Sequence, residues 1–156
     1  MKIKKVENNK KNYLDLLLIA DEEEHMIDKY LESGEVFILC DDNLKSICVV
    51  TTEKDSYELK NIATYPKYRN QGYATKLINY ILRYYKSKSE PKSKSKDSIK
   101  TMYVGTGDSK NIISFYEKFG FKKSHKIKNF FVDNYKDPIF ENNEQLIDMV
   151  YLKVYL

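Results

Sequence analysis

Apolar positions in this chain recur at two different spacings, and the changeovers between them fall at residues suited to turns. Residues 1–6 read as a short strand, whereas 13–20 are densely apolar in a helical manner. A second helix is expected from Asp21, an N-cap residue followed by Glu22, Glu23 and Glu24, whose charges suit the positive end of a helix dipole. Its apolar stripe is Met26, Ile27, Tyr30 and Leu31, and Gly34 stops it. Two β-rich runs, 36–40 and 44–51, flank the hairpin turn Asp41-Asp42-Asn43. A third run, 57–64, is closed off by Pro66, which disfavours helix in the residue before it. From Gly72 to about Lys86 the clearest helix follows, with Ala74, Leu77, Ile78, Ile81, Leu82 and Tyr85 on one face.

Beyond it, residues 86–98 (KSKSEPKSKSKDS) contain no apolar side chain and read as a solvated low-complexity loop. A strand over 99–104 leads into Gly105-Thr106-Gly107, and a helix over 110–119 follows, with Ser109 or Asp108 placed to cap it and Gly120 to end it. Two last strands are expected over 126–132 and 146–154, separated by a turn-rich stretch with Asp137-Pro138 and Asn142-Asn143. The order predicts an α+β fold: one mixed, mostly antiparallel sheet with helices on both faces, in a single domain over 1–156.

Composition narrows the function classes. A content of 42% hydrophobic and 13% aromatic residues supplies a core and excludes a wholly disordered chain. The net charge of +4 is mild and comes largely from the 86–98 run, which lacks the interleaved aromatics of a nucleic-acid arm. Cys40 and Cys48, in neighbouring strands, read as reduced core residues. His25 and His125 show no ligand spacing with them, so no metal site is expected. The start of the chain lacks the apolar centre of a signal peptide, and no apolar run reaches membrane-spanning length, so a soluble cytoplasmic protein is expected.

The chemistry concentrates in YELKNIATYPKYRNQGYA, residues 57–74. A strand ends, a polar turn follows and an amphipathic helix opens at Gly72. Such a junction turns several unpaired backbone N–H groups outward, and the helix dipole adds positive potential. Gly72 keeps no side chain between a ligand and the backbone, and Arg69 supplies a cation at the rim. The combination favours a pyrophosphate. It is neither a Walker loop, since no Gly-Lys-Ser/Thr follows, nor a Rossmann fingerprint, since the third glycine is missing.

Arg69-Asn70-Gln71-Gly72-Tyr73-Ala74 resembles the acetyl-CoA pyrophosphate loop of the GNAT acetyltransferases, and the preceding ELKNIATYPKYR resembles that family's fourth strand. Downstream, FYEKFGF (115–121) is similar to the family's late helix ending in Tyr-x-x-x-Gly-Phe. The resemblance covers roughly 36–121 and looks closest to small bacterial members of unassigned substrate. It implies that Ile62, Ala63 and Thr64 line the cofactor arm through backbone groups, one N–H polarising the thioester carbonyl. It implies that Arg69, Asn70, Gln71, Gly72, Tyr73, Ala74 and Thr75 form the pyrophosphate loop, and that Tyr116 protonates the leaving thiolate. Glu58 stands where several members carry a glutamate base, with a bulge in its strand deciding which way it faces. Asn61 is a weaker candidate for orienting water or substrate. Many members place an asparagine seven residues before the helix tyrosine; here that position is Ser109, with Asn111 two residues later, and either can hydrogen-bond the pantetheine arm.

The resemblance thus implies an N-acetyltransferase with acetyl-CoA as donor, a primary amine as acceptor and no membrane partner. The acceptor would be shaped by the helices over 13–31 and the loop over 133–143, where Glu22, Glu23, Glu24, Asp133, Asp137 and Glu141 could attract a cationic amine. Polyamine, aminoglycoside, amino acid and protein amines all stay open. The apolar C-terminal strand offers a surface for a homodimer. Two other readings remain: a non-catalytic acyl-CoA-binding sensor, and an RNA- or DNA-binding domain using the 86–100 run.

Overall fold

A computed structural model describes residues 1–89 and 99–156, which fall into two compact units, Met1–Lys100 with Leu156, and Thr101–Tyr155. In the first unit β1 (Lys2–Val6) precedes a 3-10 turn (Lys10–Tyr13), α1 (Leu14–Ala20) and α2 (Glu24–Asp28). Strands β2 (Glu35–Asp41), β3 (Asn43–Thr52) and β4 (Tyr57–Thr64) follow, then a 3-10 turn (Pro66–Tyr68) and α3 (Tyr73–Lys88). The four strands pair antiparallel in the order β1-β2-β3-β4.

Both faces of β2 and β3 are apolar, and each is covered by helices. Val36, Ile38, Ile47, Val49 and Ala63 pack with Leu16, Leu17, Ile27, Tyr30 and Leu31 of the α1–α2 segment. On the opposite face Phe37 meets Tyr80, Tyr84 and Tyr85 of α3, and Tyr57 lies against Tyr85 with ring centroids 4.4 Å apart. The period-two alternation along β2, Val36 and Ile38 one way and Phe37 the other, is the physical basis of this sandwiching.

The hydroxyl of the buried Tyr85 donates to Glu35 Oε1 at 2.8 Å, while Lys5 Nζ pairs with Oε2 at 2.8 Å and Lys88 stands 3.5 Å from Oε1. Burial pushes the Glu35 carboxyl up, but Lys5, Tyr85 and Lys88 outweigh it and hold it below its ordinary value. A carboxyl lowered in the folded state stabilises the protein above its ordinary pKa of 4.5 and loses that contribution as pH falls through the lowered value. Glu35→Gln is therefore expected to cost about 1 kcal/mol at neutral pH, the side chain being partly exposed and screened. In thermal melts from pH 7 to 3, the gap between wild type and variant should close on the acid side.

The second unit contains β5 (Thr101–Gly107), α4 (Lys110–Glu117), β6 (Lys122–Ile127), α5 (Phe130–Asn134), a two-residue hairpin pair β7 (Phe140–Glu141) and β8 (Glu144–Gln145), and β9 (Met149–Tyr155). β9 pairs antiparallel with β5 on one side and β6 on the other. Its backbone edges are occupied, so a dimer built on the C-terminal strand would have to use side chains.

Four expectations need correction. Asp21 ends α1 and its carboxylate takes the Tyr30 hydroxyl, so α2 starts three residues later, at Glu24. α3 runs through Lys88, with Ser89 bonding the Tyr85 carbonyl, so the run expected as a loop over 86–98 begins as helix; its remainder, 90–98, lies outside the described residues. β5 starts at Thr101 and takes in Gly105-Thr106-Gly107, because Cβ-free Gly105 and Gly107 admit Met149, Tyr151 and Leu146 against the backbone. The strand expected over 126–132 stops at Ile127: Asn129 is left-handed (φ 59°), its N–H donates to Asp148, and 130–134 are helical.

Candidate functional site

The junction between β4 and α3 presents the anion-binding features most fully. Asn70 (φ 62°) and Gly72 (φ 85°) both adopt the left-handed conformation, and Gly72 is the N-cap of the sixteen-residue α3 with no side-chain capping bond. Backbone N–H groups of the first helical turn, from Tyr73 to Thr75, are therefore not consumed by a cap, and the helix dipole points its positive end at them. A Cβ added to Gly72 would meet nothing within 4 Å, so the space above this backbone is open. Arg69, Asn70, Gln71, Gly72 and Thr75 are exposed, and Lys67 adds a second cation beside Arg69. Consecutive N–H groups at an uncapped helix start, with Lys67 and Arg69 exposed in the turn before it, suit a pyrophosphate.

The β2–β3 hairpin holds this loop in place. Tyr73 donates its hydroxyl hydrogen to Asp41 at 3.0 Å, Asn43 Nδ2 donates to the Tyr68 hydroxyl at 3.1 Å, and the Tyr65 N–H donates to the Lys45 carbonyl at 3.1 Å. Lys45, itself buried, sets its ammonium 3.5 Å from the Tyr68 ring centroid and 5.9 Å from that of Tyr73. A desolvated cation–π contact of this kind is worth about 1–2 kcal/mol. Lys45→Met keeps the alkyl stem and removes the cation, so the melting temperature should fall by a few degrees and acetyl-CoA affinity measured by calorimetry about 3- to 10-fold.

On β4 the bulge inverts side-chain parity. Val49 pairs with Asn61 and Val50 with Leu59, which leaves Lys60 as the extra residue. Tyr57 accordingly faces α3, whereas Asn61 and Ala63, at the same odd parity, face the α1–α2 segment. Glu58 points away from Tyr57, to the α1–α2 side, and forms an ion pair with Lys60 at 2.8 Å. Asn61 is 4% exposed; its Nδ2 donates to the Leu17 carbonyl and to the Tyr30 hydroxyl, each at 3.1 Å. Tyr30 in turn donates to Asp21 Oδ2 at 2.9 Å, and burial, then the Asp21 charge, raise its pKa well above that of a free phenol. Ile62 and Thr64 are half-buried, Ala63 is buried, and the Thr64 hydroxyl bonds Ser46.

In the second unit Tyr116 lies on α4, 7% exposed, with its ring edge-on to Phe115 and Phe121 at 5.3 and 5.8 Å. Ser109 occupies the N-cap position of α4 without a side-chain cap, and Asn111 is exposed in the first turn. Asp108, the other expected cap, pairs instead with Lys126 at 3.0 Å. The structure thus gathers Glu58, Asn61 and Ile62 to Thr75 along one strand–turn–helix passage of the first unit, and Tyr116, Ser109 and Asn111 along one helix of the second.

Sequence reasoning missed Tyr30, Asp41, Asn43 and Lys45 as members of the site. Tyr30 reads as an apolar-stripe residue, and only its pairing with Asn61 reveals the hydroxyl's task. No group of His, Cys, Asp and Glu side chains suited to a metal occurs among the described residues, and no helix among them is long and apolar enough to cross a membrane.

A bulged β4 that leads through a left-handed turn with two exposed cations into a long helix suits an acyl-CoA-binding acyltransferase. The model of the acetyltransferase (GNAT) domain matches residues 32–123, and the chain belongs to the GNAT family as an acetyl-CoA-dependent acyltransferase. It is 33% identical over 141 residues to the uncharacterized N-acetyltransferase YvbK of Bacillus subtilis (strain 168), covering 88% of this chain and 85% of that protein. Among solved structures it is similar to a GNAT acetyltransferase of Elizabethkingia anophelis with acetyl-CoA bound, at 32% identity and a TM-score of 0.87, over 99% of this chain and 97% of the other. An acetyltransferase of Bacillus subtilis in complex with CoA matches at 31% identity and a TM-score of 0.83, over 99% and 98% of the two chains. The fold is the α+β GNAT fold that the element order predicts.

Proposed function

We propose that this protein, acting as a single N-acetyltransferase domain, moves the acetyl group of acetyl-CoA onto a primary amine by direct attack in a ternary complex. The observation that carries the reading is the open, uncapped N-terminus of α3 at Gly72, reached through one 3-10 turn from the bulged strand that carries Glu58. In this reading Arg69 to Thr75 hold the pyrophosphate, backbone groups of Ile62, Ala63 and Thr64 line the acyl arm, and Ser109 or Asn111 bonds the pantetheine.

An alkyl ammonium is neutral in only about one part in a few thousand at pH 7, so the acceptor must lose a proton before it attacks. Glu58 takes that proton, directly or through one water, from its place on the α1–α2 side of β4. The amine lone pair then attacks the thioester carbon, a C–N bond forms and the C–S bond breaks. The carbonyl oxygen, negative in between, is met by a β4 N–H; Tyr116 gives its phenolic proton to the departing sulfur, and the second proton shed by the acylated nitrogen restores the phenol through water. Cys48 takes no part: burial pushes its thiol far up, leaving no thiolate for a covalent relay. We further place the enzyme in the cytoplasm, where free Cys40 and Cys48 stay reduced.

Initial rates of CoA release across a panel of primary amines test the mechanism. Intersecting double-reciprocal lines against acetyl-CoA and amine are expected. Parallel lines would point to a covalent acetyl-enzyme, and acetyl-CoA binding without release to any amine would point to a sensor.

A further inference from the structure

Asn61 is polarised in one direction. Leu17 offers its backbone carbonyl, which can only accept, so the Asn61 atom 3.1 Å from it is the amide nitrogen and the side chain cannot be flipped. The second amide hydrogen goes to Tyr30, whose own hydrogen is committed to the Asp21 carboxylate. Both donors are spent, while Asn61 Oδ1, buried with the rest of the side chain, has no hydrogen-bond partner among the described residues. Buried acceptors in folded proteins are satisfied by protein, water or ligand.

The surroundings say which kind of donor fits. Asn61 shares the α1–α2 side of β4 with Glu58, and Asp21 ends the hydrogen-bond chain that fixes it. The unsatisfied oxygen needs an N–H or O–H donor, and acidic side chains on that side of β4, Glu58 with Lys60 at 2.8 Å and Asp21 beyond Tyr30, make an ammonium group the best match.

We propose that Asn61 Oδ1 accepts an N–H of the incoming primary amine, so that Asn61, held by Leu17, Tyr30 and Asp21, aims the nucleophile beside Glu58. This rests on the acetyltransferase reading and deepens it. Asn61 touches the acceptor; Tyr30 and Asp21 are positioning residues that act through it. The amide also sets a requirement that charge alone does not: a quaternary ammonium carries the charge and has no N–H to give.

The test follows the Asn61 side-chain amide resonances of 15N-labelled protein saturated with CoA, assigned by their loss in Asn61→Ala. Titration with n-butylamine is expected to shift them saturably, and n-butyltrimethylammonium is expected to leave them in place. Resonances unmoved by both probes would mean that Oδ1 holds water only, and equal shifts with both would mean a response to charge; either overturns the proposal. Tyr30→Phe, which keeps the buried ring, should raise the amine KM about 5- to 10-fold, with kcat within about twofold and CoA affinity unchanged. An unchanged amine KM in that variant would also count against it. Failure of the wild-type protein to bind CoA would sink the acetyltransferase reading and the inference together, and calorimetry shows that separately.

Discussion

Replacing Gly72 with glutamate is expected to weaken acetyl-CoA binding by more than about 100-fold while the protein stays folded, a loss of roughly 2.7 kcal/mol or more. The protein itself has room for the new side chain, since nothing lies within 4 Å of the added Cβ. Two costs remain. At φ 85° a residue with a Cβ pays about 1–2 kcal/mol for the left-handed conformation. A carboxylate then stands over the N–H groups of Tyr73 to Thr75, where it competes with the diphosphate for the same donors and repels it. Gly72→Ala separates the two costs, because it pays the first without the second, and should lose no more than about 10-fold. Calorimetric titration of both variants, with circular dichroism as the control for folding, reads this out. Wild-type affinity in Gly72→Glu would show that the diphosphate binds elsewhere.

Tyr116→Phe is expected to lower kcat about 100-fold with little change in the acetyl-CoA KM. The substitution removes one oxygen and keeps the ring that packs edge-on against Phe115 and Phe121, so the core of the second unit survives. The loss should appear in the chemical step, since a phenol that protonates the departing sulfur acts only as the C–S bond breaks. A kcat within about twofold of wild type would make Tyr116 simply a core aromatic, an alternative that its 7% exposure and ring contacts also fit.

The passage from β4 to α3 was readable in the sequence because each of its parts is local. Pro66 closes the strand, Gly72 adopts a conformation few other residues accept, and the apolar positions of α3 keep their helical interval. Asn142 and Asn143, both at positive φ, likewise form the turn between β7 and β8 within the stretch expected to turn. What escaped the sequence depends on partners far along the chain. Asp21 has the chemistry of an N-cap, but Tyr30 claims its carboxylate, so α2 starts late. Asn129 looks like any polar residue between two apolar runs, until Asp148 binds its N–H and turns the chain into α5. The bulge that the resemblance implies in this strand falls at Lys60, a position no neighbouring residue marks, and it decides that Glu58 and Asn61 both face the α1–α2 side. The side chains that brace the cofactor loop, Asp41, Asn43 and Lys45, come from a hairpin more than twenty residues upstream of it.

Acetyl transfer to nitrogen converts a thioester carbonyl into an amide carbonyl, and carbonyl-labelled acetyl-CoA reports that change. The purified protein is incubated with [1-13C]acetyl-CoA and a panel containing a polyamine, an aminoglycoside, free amino acids and a lysine peptide, and the carbonyl carbon is followed by NMR. The thioester signal is expected to give way to an amide signal, in step with free thiol, for at least one amine. Labelled acetyl-CoA that binds at the Gly72 loop yet keeps its thioester signal with every amine would contradict acetyl transfer to nitrogen.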